Sequence, residues 1–388
     1  MYGADWDRVM TKTVLIPGAG WPQIDAIEYC HGKGYKVAGC SYTSGDPGEH
    51  LLDEFKLVDI KDADGMTEWA SECSAALIYT VGSDLAMPTV MEASERLGLP
   101  HFISYETAQI CHAKHRMRQT LGQDFQGNVP FGVYETLEDA LGFTGFPGMM
   151  KPVDSQGQRG CFRVDSAEDI RENFTVSLDY SIEGKVIIEK FITGEEISVN
   201  GYMAGGELVF AAVSDRYAFD EYPGGIIKEH VLPSRRACGE TAEEVRDLVQ
   251  RVSRKLDITD GPCYSQIMIG EDGHPYMIEI APRLDGCHMW RLIKYSCGVD
   301  LLDWCFRHLT EDAWPGDAEK AAAAESAMTD CRLTFMSGAT GSTVDRSDFD
   351  CAGADYVCWY YETGDTVRKL NGYMEKCGYM ICPTDAGQ

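Results

Sequence analysis

The sequence predicts an α/β chain that begins with a doubly wound parallel sheet and continues as α+β units. Short apolar runs alternate with helical segments through about the first hundred residues, which is typical of parallel sheets. From about residue 185 to residue 280, apolar runs are instead joined by glycine-containing turns, which indicate antiparallel hairpins. Short aromatic runs near the C-terminus predict a small β-rich lobe. The length of 388 residues favours two or three packed units.

Strand and helix signals alternate regularly in the N-terminal segment. We expect strands at residues 13–16, 35–38, 55–58 and 75–79, and helices at residues 23–33, 66–73 and 87–97. The Gly18-Ala19-Gly20 turn after the first strand is similar to a dinucleotide-binding turn. However, the third glycine of that fingerprint is missing and no acid closes the second strand, so NAD binding is not favoured.

The chain is strongly acidic, since 62 Asp and Glu residues against 34 Lys and Arg residues give a net charge of −28. Such a surface repels nucleic acid and anionic membranes, and neither is an expected partner. A general adaptation for solubility explains the acidity equally well. The 15 cysteines are odd in number and form no CxxC pair, and the N-terminus shows no leader pattern. We therefore expect a cytoplasmic protein with reduced thiols.

A lysine on a predicted strand precedes a glycine-rich loop. Lys151 is followed by a segment of small and polar residues that runs from Asp154 to Gly160. Backbone N–H groups of such a loop can approach phosphate oxygens, while the strand lysine supplies a fixed positive charge. Taken alone, the segment is equally typical of a hairpin turn with a surface lysine. A second lysine, Lys114, opens a basic helix upstream.

A later hairpin places an amide beside a carboxylate. Residues 262–269 and 275–280 form its strands, and their pairing puts Gln266 next to Glu279. Side-chain oxygens of this kind suit Mg²⁺, which keeps several of its waters. Arg283 follows four residues beyond Glu279, where a guanidinium can stabilise charge on a transferred phosphate. The alternative for Arg283 is a structural ion pair with nearby acids.

The glycine-rich segment 215–225 leads into a strand that contains His230. Loops between core strands often carry specificity. For His230 itself, a buried structural histidine is as good an interpretation as a functional one.

Taken in order, these segments resemble the ATP-grasp superfamily. Within it, the chain is similar to carboxylate–amine ligases such as L-amino-acid ligases, glycinamide ribonucleotide synthetase and the carbamoyl-phosphate synthetase large subunit. The resemblance implies a Rossmann-like domain, a two-lobed ATP-grasp fold and a β-rich C-terminal lobe. The expected domains are residues 1–110, 111–192, 193–310 and 311–388.

The resemblance also implies roles for individual residues. Contacts with the ATP phosphates are implied for Lys114, Lys151 and a lid formed by Ser155, Gly157, Arg159 and Gly160. Contacts with adenine are implied for the hinge residues Glu189, Lys190, Phe191 and Ile192, and contact with the ribose for Glu196. Gln266 and Glu279 would hold one or two Mg²⁺ ions, with Mn²⁺ as an alternative, and Arg283 and His230 would act in catalysis. Many family members carry Glu or Asp in place of Gln266, and Asn in place of Ala281.

The implied reaction is the ATP-dependent joining of a carboxylate to an amine through an acyl phosphate, with release of ADP and phosphate. Small-molecule acids and amines are the expected partners, and a homodimer is left open. Two alternatives stay open as well. One is a bicarbonate-activating enzyme similar to carbamoyl-phosphate synthetase or biotin carboxylase, and the other is a non-catalytic ATP-binding protein.

Overall fold

The N-terminal part of the chain forms a parallel sheet, as the sequence predicts. A computed structural model describes residues 12–154, 159–219, 222, 225–313, 328–369 and 374–384. The first elements are β1 (Thr13–Pro17), α1 (Trp21–Gly32), β2 (Lys36–Ser41), β3 (Glu54–Leu57), α2 (Ala63–Glu72), β4 (Ala75–Ile78), α3 (Ala86–Leu97), α4 (Tyr105–His112) and α5 (Lys114–Leu121). The strands pair in the order β3-β2-β1-β4, and every pair is parallel.

Local signals explain where these helices begin. The Asp62 side chain accepts a hydrogen bond from the Gly65 N–H at the start of α2, and Ser104 caps α4 in the same way. In β1 every side chain is buried, which is expected for a strand covered on both faces. The turn after β1 bends at Gly18, whose φ of 82° is unfavourable for other residues.

A small antiparallel sheet follows. Its elements are β5 (Phe131–Tyr134), α6 (Leu137–Ala140), β6 (Gly148–Pro152), β7 (Phe162–Val164), α7 (Ala167–Asp179) and β8 (Val186–Lys190). The strand order is β5-β8-β6-β7. Ser166 and Asp169 form a capping box at the start of α7, which packs against this sheet through Ile170 and Phe174.

The remaining strands form one large sheet. In chain order, its strands and the helices between them are β9 (Gly194–Ala204), β10 (Glu207–Ala218), β11 (Ile227–Leu232), α8 (Glu240–Lys255), β12 (Gly261–Gly270), β13 (Pro275–Ala281), α9 (Met289–Cys297), α10 (Leu301–Glu311), β14 (Cys331–Ala339), β15 (Tyr356–Trp359) and β16 (Met374–Pro383). The strand order is β13-β12-β9-β10-β11-β14-β16-β15. The C-terminal segment is β-rich as predicted, and its strands extend the large sheet. The domain boundaries themselves stay predictions.

The N-terminal sheet and the large sheet share a hydrophobic core. Ile16 on β1 and Tyr79, directly after β4, belong to the same buried cluster as Trp304, Phe306 and Tyr379. Stacking of the Tyr29 ring on Phe306, at 4.8 Å between centroids, ties α1 to α10. Within the described residues, no helix combines the length and the apolar character needed to cross a bilayer.

Candidate functional site

A row of polar side chains crosses one face of the large sheet. Glu279 on β13 lies opposite Gln266 on β12, and Gln266 lies opposite Ser198 on β9. The Ser198 hydroxyl is 3.0 Å from the Ser214 hydroxyl on β10 and 3.5 Å from Nδ1 of His230 on β11. Because residues in register share a face, the sheet presents all five side chains together. The predicted candidates Gln266, Glu279 and His230 therefore lie along one surface.

Lys114 reaches this row from the start of α5. Its Nζ donates a hydrogen bond to Oε2 of Glu279 at 2.5 Å. The positive charge of Lys114 lowers the pKa of Glu279 to about 2, and Arg283 adds to this effect. Both outweigh the partial burial of Glu279, which alone would raise its pKa. Glu279 is therefore ionised at neutral pH, which is the state required of a metal-binding carboxylate.

Glu189 on β8 holds a second lysine. It accepts hydrogen bonds from Nζ of Lys151 and from Nε of Arg118, the latter at 2.7 Å. Burial opposes ionisation of Glu189, but the charges of Lys151 and Arg118 outweigh it and lower its pKa to about 2. The hinge glutamate, expected to contact adenine, therefore positions Lys151 with its side chain.

Arg118 is a residue that the sequence interpretation missed. Its guanidinium is fully buried and also donates to the carbonyl oxygens of Met277 at 2.6 Å and Ile278 at 3.2 Å. Arg118 thus links α5, the small sheet and β13. Its spacing in the sequence could have indicated this role, because Arg118 lies one helical turn after Lys114 and on the same face of α5.

The two lysines form one charged group together with their carboxylates. Burial lowers the pKa of Lys151, and repulsion from Lys114 adds to this effect, while Glu189 opposes it. Lys151 is 15% exposed and Lys114 is 34% exposed, so both ammonium groups retain access to solvent. Two partly desolvated cations at this point suit a polyphosphate ligand.

The rest of the hinge makes backbone contacts. The Lys190 N–H donates to the Pro130 carbonyl and the Phe191 N–H to the Pro147 carbonyl, both at 2.8 Å. The side chain of Lys190 is exposed, whereas Phe191 and Ile192 are half-buried. Since two amides are already engaged, adenine contacts by this segment would use its carbonyls or the Ile192 amide. Those contacts stay a prediction.

The predicted phosphate loop is described only in part. Ser155 and Gly157 lie outside the described residues, whereas Arg159 is exposed and Gly160 is buried. Gly160 has a φ of 70°, and a Cβ at this position would lie 3.0 Å from both Pro152 and Tyr180. The end of the loop therefore requires glycine on grounds of conformation and space.

Glu196 connects the sheet row to a further arginine. Its Oε1 accepts hydrogen bonds from Nε2 of Gln266 and, at 2.5 Å, from Nη1 of Arg216. The amide nitrogen of Gln266 is thus engaged, which leaves its amide oxygen as the atom that could coordinate a cation. Together with the ionised Glu279, this donor set fits Mg²⁺. Ala281 pairs with Tyr264 and contributes no side-chain ligand.

Arg283 is held by an acid from the N-terminal domain. Its Nε and Nη2 donate to the two carboxylate oxygens of Asp84 at 2.8 Å and 2.6 Å, and its guanidinium lies 5.3 Å from the Tyr264 ring. The approach is close, because a Cβ added at Gly82 would lie 2.7 Å from the Cα of Gly286. An ion pair was the alternative predicted for Arg283 from the sequence, but its partner Asp84 was missed. The position of Asp84 in the loop after the C-terminal end of β4 could have indicated it.

His230 is 1% exposed and lies at the far end of the polar row. Burial, together with the nearby cations Arg216 and Lys376, lowers its pKa to about 3, so the imidazole is neutral. Its Nε2 is buried and has no hydrogen-bond partner among the described residues. One ligand-type atom each of His230, Asp285 and Cys287 lies within 4.8 Å of the others. The sequence interpretation missed both Asp285 and Cys287.

Comparison with known proteins connects this geometry to a family. Residues 144–290 match the family model described as an ATP-grasp domain, and this range contains Lys151, Glu189, Gln266, Glu279 and Arg283. The chain is an ATP-grasp domain protein. The resemblance inferred from the sequence is thus confirmed at the level of the family, while the role of each site residue stays a proposal.

Several ATP-grasp proteins resemble the chain beyond the matched range. It is 24% identical over 256 residues to alanine–anticapsin ligase of Bacillus subtilis, which covers 60% of this chain and 53% of the relative. An L-amino acid ligase from Bacillus licheniformis superimposes with a TM-score of 0.77 and 18% identity, over 97% of this chain and 94% of that one.

A further similar structure was solved with ligands. The biotin carboxylase domain dimer of 2-oxoglutarate carboxylase from Hydrogenobacter thermophilus, complexed with MgADP, ADP and bicarbonate, superimposes with a TM-score of 0.76 and 15% identity. The match covers 97% of this chain and 87% of that chain. At these identities the solved structures establish the fold alone. The chain spans between 25% and 53% of the lengths of the first curated relatives it matches.

Proposed function

We propose that the chain is an ATP-dependent ligase that joins a carboxylate to an amine through an acyl-phosphate intermediate and releases ADP and phosphate. One observation carries this proposal. The two lysines Lys114 and Lys151, the ionised Glu279 and the guanidinium of Arg283 belong to one electrostatic cluster. Such a cluster offers the positive charge that phosphoryl transfer requires, next to a carboxylate suited to a metal ion.

Each residue of the site would contact a different part of Mg-ATP. Lys114 and Lys151 would bind the β- and γ-phosphates of ATP. Glu196, which accepts a hydrogen bond from Gln266, would contact the ribose. Gln266 and Glu279 would hold Mg²⁺, which would neutralise charge on the phosphates when bound. To accept this ion, Glu279 would exchange part of its contact with Lys114, and the freed ammonium would turn to a phosphate oxygen.

The proposed chemistry has two steps. In the first, a carboxylate oxygen of the acid bonds to the γ-phosphorus of ATP, the bond to the bridging oxygen breaks, and ADP leaves with the electron pair. In the second, the amine nitrogen bonds to the acyl carbon and phosphate leaves, taking up the proton that the nitrogen releases. Arg283 would bind the transferred phosphoryl group, and its contact with Asp84 fixes the plane of the guanidinium.

A second candidate function is activation of bicarbonate, which forms carboxyphosphate in place of an acyl phosphate. The biotin carboxylase domain with this fold supports it, because its ligands include bicarbonate and MgADP. The alanine–anticapsin ligase, which aligns over 60% of the chain, supports the amide-forming function. The carbamoyl phosphate synthase arginine-specific large chain of Neurospora crassa, 24% identical over 299 residues, supports the second candidate by sequence as well. We favour amide formation because two different ligases are matched by sequence, alanine–anticapsin ligase and phosphoribosylamine–glycine ligase.

The test is ADP release from Mg-ATP with amino acids, small carboxylic acids, amines and bicarbonate, supplied singly and in pairs. Release that depends on an acid–amine pair supports the ligase and identifies its substrates. Release with bicarbonate alone supports the second candidate. Binding of ATP without release under any combination would contradict both and indicate a non-catalytic nucleotide-binding protein. A Glu279→Gln variant serves as the background control.

A further inference from the structure

A half-buried lysine, Lys376, lies at the far end of the polar row, where no described carboxylate forms a salt bridge with it. Its Nζ is 3.8 Å from the Cys287 thiol and 3.3 Å from the centre of the Phe335 ring. Among the described residues it forms no salt bridge, whereas Lys114 and Lys151 each have a carboxylate within 4 Å. Since its short contacts among the described residues are a thiol and an aromatic ring, this ammonium lacks strong hydrogen-bond acceptors.

The position of Lys376 is built into β16. Met336 pairs with Gly378 while Ser337 pairs with Lys376, so Cys377 is the extra residue of a β-bulge. Bulges of this type redirect a side chain and are common beside functional sites. A Cβ at Gly378 would lie 2.3 Å from the Cys358 carbonyl, so the strand passes this point only with glycine. The fold thus holds the lysine in place.

Two neighbouring groups also lack partners. Nε2 of His230 and Oδ2 of Asp285 are buried and form no hydrogen bond with a described residue. The other oxygen of Asp285 accepts from the backbone N–H groups of Cys287 and Met289. We call His230, Asp285, Cys287 and Lys376 the His230 cluster. Within the described part of the chain, it combines an ammonium without a carboxylate contact with a carboxylate oxygen and an imidazole nitrogen that form no hydrogen bond, which is the pattern of a site for a polar ligand.

A metal ion is a poor occupant of this cluster. His230, Asp285 and Cys287 are ligand types that zinc accepts. However, the ammonium of Lys376 lies beside the thiol, and Arg216 is a further cation nearby. A divalent cation would be repelled by the positive charges of Lys376 and Arg216 in a weakly screened environment. The charges instead favour a ligand that brings an anionic group to Lys376.

We propose that Lys376 binds a distal anionic group, a carboxylate or a phosphate, of the substrate that lies beside His230. The inference rests on the proposed function and specifies its substrate class. The group at Lys376 differs from the reacting carboxylate, because the titratable neighbours of Lys376 are Cys287, Asp285 and Arg216, whereas those of Lys114 are Glu279, Glu189 and Asp84. Lys376 is therefore a specificity-determining residue of the pocket.

The first experiment measures binding without turnover. With the nucleotide site saturated by a non-hydrolysable ATP analogue and Mg²⁺, the melting temperature is recorded against inorganic phosphate and against acetate. Wild type should be stabilised by one or both anions, and Lys376→Met should lose at least about tenfold in apparent affinity. The two anions distinguish a phosphate subsite from a carboxylate subsite. Lys294→Met, which removes an exposed lysine paired with Asp300, is the matched control.

The second experiment uses the substrates found by the ADP-release panel. Each anionic substrate is compared with its neutral amide or dephosphorylated counterpart. Lys376→Met should raise KM for the anionic form at least about tenfold with little change in kcat, and should leave the neutral form unaffected. Lys376→Arg should retain most of the preference, because it keeps a cation at this position.

Three outcomes would overturn the proposal. One is an equal loss for anionic and neutral substrates, and another is an unchanged response of Lys376→Met to both anions. The third is stoichiometric zinc in the purified protein that is lost in Cys287→Ser. If Lys376→Met fails to fold, Lys376→Gln replaces it in both experiments. The anion-binding experiment stays informative even if no substrate pair supports turnover, so a failure of the proposed ligase activity is distinguished from a failure of this inference.

Discussion

Arg283 and Asp84 form a bidentate ion pair that joins the loop after β13 to the loop between β4 and α3. The two residues are 199 positions apart, and both N–H···O contacts are 2.8 Å or shorter. Arg283 is 6% exposed, whereas the Asp84 side chain is 38% exposed. The guanidinium is therefore oriented by an acid whose other side faces solvent, and this arrangement fixes a planar donor at the edge of the candidate site.

Arg283→Lys should lower kcat at least about tenfold, because a lysine cannot reproduce the planar, two-contact geometry of a guanidinium. The measurement is steady-state ADP release with the identified substrates, together with the melting temperature. Asp84→Asn is the companion variant and should give a smaller loss, since it keeps Arg283 but weakens its orientation. Wild-type rates in Arg283→Lys would return this arginine to a structural role.

The sequence predicted the elements of the fold well where the signal is local. Alternation of apolar runs located β1 to β4 within a few residues, and the turn around Gly273 set the register that pairs Gln266 with Glu279. The helix α4 (Tyr105–His112) was missed, because its apolar residues are few and its start depends on a serine cap alone.

The partners of the site residues were less predictable, because they come from distant parts of the chain. Lys114 and Glu279 are 165 positions apart, and no periodic pattern connects them. Arg118 reads in the sequence as one more basic residue on a surface helix, yet it is fully buried. Lys376 depends on a β-bulge, and a bulge shifts which side chains face the core without a strong signal of its own.

Glu279→Gln should abolish turnover and leave the fold intact. The amide removes the one carboxylate of the proposed Mg²⁺ site and leaves Lys114 without its ion-pair partner. ADP release and far-UV circular dichroism measure the two effects separately. Glu244→Gln, at a solvent-exposed carboxylate on α8, is the matched control and should keep full activity. Normal turnover in Glu279→Gln would place the metal site elsewhere.

Glu189→Gln should destabilise the protein by about 3–5 kcal/mol, because it leaves the buried cations Lys151 and Arg118 without their shared carboxylate. The quantity to measure is the free energy of unfolding from denaturant titration. Glu168→Gln is the control, since Glu168 pairs with Arg171 on the exposed face of α7 in the same lobe. If Glu189→Gln and the control lose the same free energy of unfolding, solvent reaches Glu189, Lys151 and Arg118 in the folded protein.

His230 should make stability depend on pH with a defined sign. Burial lowers its pKa to about 3, below the ordinary value of 6.5, so the folded state keeps the imidazole neutral while the unfolded state binds a proton as the pH falls. This residue therefore favours the folded state fully above pH 6.5, and that contribution is lost between pH 6.5 and the folded pKa.

Between about pH 7.5 and about pH 5.5, wild type should lose about 1.4 kcal/mol more of its free energy of unfolding than His230→Gln. Unfolding titrations of both proteins at the two pH values, with the exposed His50→Gln as control, measure this difference. Identical pH dependence of wild type and His230→Gln would show that His230 has the same pKa in the folded and unfolded states, so that burial and the cations Arg216 and Lys376 do not lower it.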